Sequence, residues 1–214
     1  FHSYDMLFLL SLVCSLAGVI VDATLHLRPR EVMQDKQKIS LDRFLLLKGW
    51  ALFLVMFTMA FCYSVLSTYV AIYGKEKLGV TAGTGLFFAL FAIGLIVSRL
   101  TGSKSLRNAS LGIVVSISGF VIFASCHHMA AYYLSPFIIG LGNGHMWPAF
   151  QTMFINLAEN NQRGTANSTI LTSWDLGMGV GMFIGGSVAE RLGYYAAFWT
   201  GIGIYALGTL FYFL

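Results

Sequence analysis

The sequence predicts an all-α membrane protein with seven transmembrane helices. Of its 214 residues, 57% are hydrophobic and only 10% are charged, whereas a soluble domain carries about 25% charged residues. Apolar runs of about 20 residues, enough to cross a bilayer as a helix, occupy residues 4–25, 50–73, 83–100, 111–126, 132–157, 166–188 and 196–214. These runs lack the alternation of apolar and polar residues that β-barrel strands show, so a helical bundle is the architecture that satisfies the backbone in lipid.

The longest polar segment separates the first run from the other six. We therefore divide the chain into a helix at residues 1–27, a loop at 28–47 and a six-helix domain at 48–214. Short cytoplasmic loops carry an excess of Lys and Arg. With the loop from Arg28 to Lys48 cytoplasmic, ten of the 13 basic residues lie inside and three outside. The first residue is then external and the carboxyl terminus is cytoplasmic, in a plasma or inner membrane.

Asp175 lies near the middle of a glycine-rich stretch that is long enough to cross the bilayer. An ionisable group at that depth usually faces a cavity, finds a partner or stays protonated. We expect Asp175 to face a cavity shared with the 132–157 helix. A proton carrier, a cation ligand and a structural hydrogen bond are the roles open to it. The four-residue spacing of Gly177, Gly181 and Gly185 predicts close packing against another helix.

Polar and aromatic side chains concentrate in the 50–73, 132–157 and 166–188 runs. This pattern is typical of helices that line a transport pathway, and it leaves the 111–126 and 196–214 helices peripheral. The predicted substrate site consists of Tyr63, Asn143, His145, Trp147, Gln151 and Trp174.

Asn143, Trp147 and Gln151 recur every four residues and therefore share one helix face. The alternative is that Trp147 packs against a neighbour and that the nearby glycines only permit close helix approach. His145 is a second candidate for carrying a proton, since imidazole titrates near neutral pH; its alternative is an interhelical hydrogen bond. The three cysteines lack metal-type spacing, so no metal site is expected.

Four strings carry a family resemblance: SRLTGSKSLR, GLGNGHMWPAFQ, RGTANSTILTSWDLGMGVG and GGSVAERLGYYAAFW, at residues 98–107, 140–151, 163–181 and 185–199. They resemble the major facilitator superfamily, in its drug and sugar efflux permease branch, and the likeness spans essentially the whole chain. The resemblance implies that the first run is the sixth helix of a twelve-helix transporter. Residues 48–214 are then helices seven to twelve, and an N-terminal half of the same transporter is an expected partner.

The resemblance also implies gating roles for Arg99, Gly102 and Arg163, although the usual aspartate is absent from the loop after the eighth helix. Arg99 has a simpler alternative, since it can extend to lipid headgroups. The implied activity is proton-coupled export of small drug- or sugar-like compounds by alternating access. The expected partners are the substrate, protons and the lipid bilayer.

No nucleic-acid partner, cofactor or enzymatic activity is expected. Proton-coupled uptake of a metabolite is an alternative. A seven-helix receptor or sensor is a further one, although the last run lacks the Schiff-base lysine of a rhodopsin.

Overall fold

A computed structural model describes residues 2–24, 45–80, 84–101, 106–159 and 162–213. Within these ranges the seven predicted helices are confirmed, in the predicted order. A short 3₁₀ turn, Leu47–Gly49, leads into the second of them. The helices are α1 His2–Thr24, α2 Trp50–Leu78, α3 Gly85–Thr101, α4 Leu106–Ser125, α5 Met129–Leu157, α6 Arg163–Leu192 and α7 Tyr194–Phe213.

Three of the described helical segments are long and apolar enough to cross a membrane: Asp5–Thr24, Leu47–Leu78 and Tyr194–Phe213. α3 and α4 contain shorter apolar segments. α5 and α6 have 29 and 30 residues, which is ample length for a span. Both helices also contain many glycines and polar residues. The polar side chains are the ones expected to line a pathway.

The chain forms two units, Phe1–Lys38 and Ile39–Leu214. In the first unit, every side chain that the structure describes on α1 is exposed, and most of these side chains are apolar. A single helix with apolar residues on all sides suits a lipid environment.

The second unit consists of two groups of three helices. α5 packs against α3 and α4, whereas α2 packs against α6 and α7. Contacts between α4 and α7 and between α5 and α6 join the two groups.

Glycines allow α5 to approach its two neighbours closely. A Cβ atom at Gly140 would meet the carbonyl oxygen of Phe91 on α3, and one at Gly142 would meet the backbone nitrogen of Ser116 on α4. Backbones at such distances leave no room for a side chain. Close helix approach, the structural alternative for these glycines, is therefore confirmed.

The glycine stripe of α6 faces α2, as its spacing predicts. A Cβ at Gly181 would lie 2.6 Å from the carbonyl oxygen of Phe61, and one at Gly185 would lie 2.8 Å from a methyl group of Val65. Gly177 meets the carbonyl oxygen of Phe57 in the same way. The stripe therefore brings α2 and α6 together at backbone distance, and it fixes how α6 is rotated.

Buried aromatic rings from five helices pack together near the carboxyl end of α2. The ring centroids of Phe123 and Phe198 are 5.0 Å apart, and those of Tyr73 and Phe198 are 5.5 Å apart. The hydroxyl of Tyr132 donates to the carbonyl of Val70 at 3.4 Å. This aromatic core stabilises one end of the bundle by burying large side chains.

At the opposite end of α2, where the chain enters the six-helix domain, a hydrogen bond connects the entering segment to α6. The backbone N–H of Leu46 donates to the hydroxyl of Thr169 on α6 at 2.9 Å, and Leu46 is only 1% exposed. Lys48 and Glu159 form an ion pair of 3.7 Å between largely exposed side chains, which contributes little to stability. Thr169 therefore holds the entering segment against α6.

Two connections depend on glycine conformation. Gly79 ends α2 with φ of 67°, and Gly193, with φ of 86°, is the single residue between α6 and α7. Side-chain-bearing residues rarely adopt such positive φ angles. These glycines therefore let the chain leave each helix abruptly.

Candidate functional site

A cavity of about 320 Å³ lies between α2, α3, α5 and α6. Its volume falls in the range of small-molecule sites. None of its lining residues belongs to the described parts of α4 or α7, in agreement with the prediction that these two helices are peripheral. The lining consists of Met59, Tyr63, Phe91, Leu95, Arg99, Asn143, Trp147 and Trp174.

Four of these side chains form a continuous aromatic wall, which we define as Tyr63, Phe91, Trp147 and Trp174. Tyr63 contacts both Phe91 and Trp174, with ring centroids 5.5 and 5.7 Å apart. Trp174 in turn meets Trp147 at 5.1 Å. One ring comes from each of four helices, so the wall exists only when the bundle is assembled.

Asn143 is 4% exposed, and its side-chain oxygen accepts a hydrogen bond of 2.9 Å from the hydroxyl of Ser116 on α4. This bond directs the amide oxygen toward α4. No residue that the structure describes accepts a hydrogen bond from the amide nitrogen. Asn143 therefore contributes a hydrogen-bond donor to the cavity, and its oxygen already accepts one hydrogen bond.

Arg99 lines the same cavity from the last turn of α3, and its side chain is exposed. Within the described ranges it forms no ion pair. Among the lining residues that the structure describes, it is also the one that carries a charge. The family resemblance implied a gating role for Arg99, and the structure places this residue beside the predicted substrate residues.

Two predicted substrate residues are absent from the lining. Gln151 is on the same face of α5 as Trp147 but is exposed one turn farther along. His145 is two residues from Asn143, or about 200° around the helix, and so points away from the cavity. Its Nδ1 is buried without a hydrogen-bond partner among the described residues. Four-residue spacing fixes a helix face but does not show how far along that face a cavity extends.

Asp175 is exposed on α6 and does not line this cavity, although Trp174 does. Adjacent helical residues point about 100° apart, which accounts for the difference. The expectation that Asp175 faces the cavity lined by α5 is therefore not met. Arg163 is exposed at the first residue of α6, and Gly102 lies outside the described residues.

Three lining residues, Met59, Phe91 and Leu95, had no signal in the sequence. Each is an apolar residue within an apolar helix, where side chains that face lipid and side chains that face a cavity look alike. The close approach of α3 to α5 places Phe91 and Leu95 here, since a Cβ at Gly94 would meet the carbonyl oxygen of Phe137. Only the packing of the two helices distinguishes them.

Comparison with known protein families gives a match to the Major Facilitator Superfamily over residues 107–214, just over half of the chain. The matched region holds the whole of α5, α6 and α7 and nearly all of α4. A comparison with curated proteins finds no relative that matches the chain. The all-helical bundle is consistent with the family match. The chain therefore belongs to the Major Facilitator Superfamily and is a multi-pass membrane transporter.

Proposed function

We propose that the protein is a secondary transporter that exports small organic compounds in exchange for protons, by alternating access. The observation that carries this proposal is the cavity between α2, α3, α5 and α6. Its walls come from both groups of three helices, so a shift of one group against the other changes the shape of the cavity. A binding site at such a junction is what alternating access requires.

We assign the coupling proton to Asp175. Its carboxyl group is exposed on α6, next in sequence to Trp174 of the aromatic wall. No described residue forms an ion pair or hydrogen bond with it. Because both residues belong to α6, a shift of the group formed by α2, α6 and α7 would change the surroundings of Asp175 and the position of Trp174 together. Protonation and substrate binding are coupled through that shared helix.

The sidedness follows from the basic residues. The Arg28 to Lys48 loop and the carboxyl terminus are cytoplasmic in our proposal, and the membrane is the plasma or inner membrane. Outward substrate movement is then coupled to inward proton movement.

The test uses the full-length protein in liposomes that contain the pH indicator pyranine. A pH gradient is imposed, and 1-naphthoate, 1-naphthylmethylamine or arabinose is added. We expect at least one of these solutes to cause proton movement in the wild type, and Asp175→Asn to abolish it. Glu190→Gln, an exposed acidic position on the same helix, serves as the matched control and retains the wild-type signal.

Two results would contradict the proposal. Gradient-driven solute flux that is unchanged in Asp175→Asn removes the proton role from this residue. The absence of proton movement with all three solutes in the wild type argues against exchange of protons for small organic compounds.

A further inference from the structure

The polar atoms of the cavity are almost all hydrogen-bond donors. The amide oxygen of Asn143 already accepts a hydrogen bond from Ser116, whereas its NH₂ group has no acceptor among the described residues. The indole N–H groups of Trp147 and Trp174 are donors only, and no described residue accepts a bond from either. A ligand that satisfies these groups must supply hydrogen-bond acceptors.

The charge of the cavity also favours a ligand that supplies hydrogen-bond acceptors. Arg99 carries a permanent positive charge and five N–H donors, and no acidic side chain lies among the lining residues that the structure describes. Guanidinium groups pair with carboxylates through two parallel hydrogen bonds. The cavity therefore matches a ligand with a carboxylate or a similar planar anion.

The aromatic wall determines the remaining part of the ligand. The four rings of the wall contact one another and present a flat apolar surface. An aromatic ring of the ligand can pack on this surface in offset or edge-to-face geometry. We propose that the transported solute is an aromatic organic anion, whose ring packs on the aromatic wall and whose anionic group binds Arg99 and the amide of Asn143. This inference rests on the proposed transport function.

Two other solute classes fit the cavity less well. A sugar needs both acceptors and donors around its hydroxyl groups, and the described lining residues offer few side-chain acceptors: the hydroxyl of Tyr63 and the second lone pair of the Asn143 oxygen. An aromatic cation would gain from the rings, but Arg99 at the same cavity repels it.

The test measures equilibrium binding of radiolabelled 1-naphthoate to the purified full-length protein, without any pH gradient. We expect Arg99→Gln to raise the Kd about tenfold to a hundredfold, the effect of losing a hydrogen bond to a charged group. Arg99→Lys restores part of the affinity because it keeps the charge. Arg191→Gln removes an exposed arginine at the far end of α6 and leaves the Kd unchanged.

A second variant tests the same idea by reversing the chemistry. Asn143→Asp keeps an acceptor for Ser116 but places a negative charge at the cavity, so it weakens binding of 1-naphthoate and strengthens binding of 1-naphthylmethylamine. Asn167→Asp, on the exposed face of α6, adds the same charge outside the lining and changes neither. Thermal melting and gel filtration show that each variant is folded.

The inference is overturned if wild-type protein binds no 1-naphthoate, if it binds 1-naphthylmethylamine more tightly, or if Arg99→Gln shifts the Kd by less than about twofold. Arabinose-driven proton movement without 1-naphthoate binding would overturn the inference that the solute is an aromatic anion and leave the proposed transport function in place. Binding of 1-naphthoate that depends on Arg99, without any proton movement, would support an aromatic anion as the solute and contradict the proposed exchange of solute for protons.

Discussion

The indole rings of Trp147 and Trp174 meet edge to face, with centroids 5.1 Å apart and planes at 88°. Trp147 belongs to α5 and Trp174 to α6, so the pair connects the two groups of three helices. It is also part of the cavity lining. A single contact therefore contributes both to the cohesion of the bundle and to the surface that a solute meets.

This tryptophan pair should show energetic coupling. We expect the double variant Trp147→Leu, Trp174→Leu to lose less stability than the sum of the single variants, by about 0.5 to 1.5 kcal/mol. The free energy of unfolding in mixed micelles is the measurement. Trp50, which packs against Phe211 on α7, provides the control, since its replacement together with Trp147→Leu should be additive. If the stability losses of Trp147→Leu and Trp174→Leu simply add in the double variant, the two rings do not stabilise each other through their contact.

The glycine stripe of α6 should tolerate no side chain where it meets α2. Gly181→Ala places a methyl group 2.6 Å from the carbonyl oxygen of Phe61, and forcing the helices apart costs about 1–3 kcal/mol. We expect the melting temperature to fall by several degrees. At Gly179, two residues away on the same helix, a Cβ meets nothing within 4 Å. Gly179→Ala should therefore be neutral or stabilising, and equal losses in both variants would contradict this packing.

The hydroxyl of Thr169 should hold the segment that enters α2. Thr169→Val leaves the buried N–H of Leu46 without its acceptor, which costs about 1–3 kcal/mol. Hydrogen exchange at the Leu46 amide should accelerate, and the protein should melt earlier. Thr169→Ser keeps the hydroxyl and should behave as wild type, and so should Ser168→Ala at the exposed neighbouring position. Unchanged exchange at Leu46 in Thr169→Val would show that another group supports the segment.

The two ends of α2 should lie on opposite sides of the membrane. Its 29 residues span about 43 Å at 1.5 Å per residue, close to the full thickness of a bilayer with its headgroups. With the native Cys14, Cys62 and Cys126 replaced by serine, so that only the introduced thiol can react, a cysteine at Lys75 in the proposed orientation reacts with an impermeant maleimide added to intact cells. A cysteine at Lys48 reacts only after the cells are permeabilised. The opposite pattern would invert the topology.

The sequence predicted the helices well because each helix depends on residues close together in the chain. Apolar runs of membrane-spanning length indicated all seven, with ends that differ from the observed ones by a few residues. The spacing of Gly177, Gly181 and Gly185 also indicated a packing face, and the structure places α2 against it. Family membership is likewise read from the sequence, since the family match covers α5 to α7.

The site was predicted only in part. Tyr63, Asn143, Trp147 and Trp174 were identified by their polarity or aromaticity and do meet at one cavity. His145 and Gln151 were identified by the same criterion and do not line it. Composition marks a helix as lining a pathway, but rotation and depth decide which of its residues reach the pathway.

The sequence by itself therefore determined the helical membrane bundle, because hydrophobicity and short-range spacing are properties of single segments. Only the tertiary structure brought Tyr63 of α2 against Phe91 of α3 and Trp174 of α6, and joined Asn143 to Ser116. It also separated Trp174 from Asp175, which are neighbours in the chain but point in different directions. Contacts between residues on separate helices depend on how glycine-lined backbones pack, and no single segment contains that information.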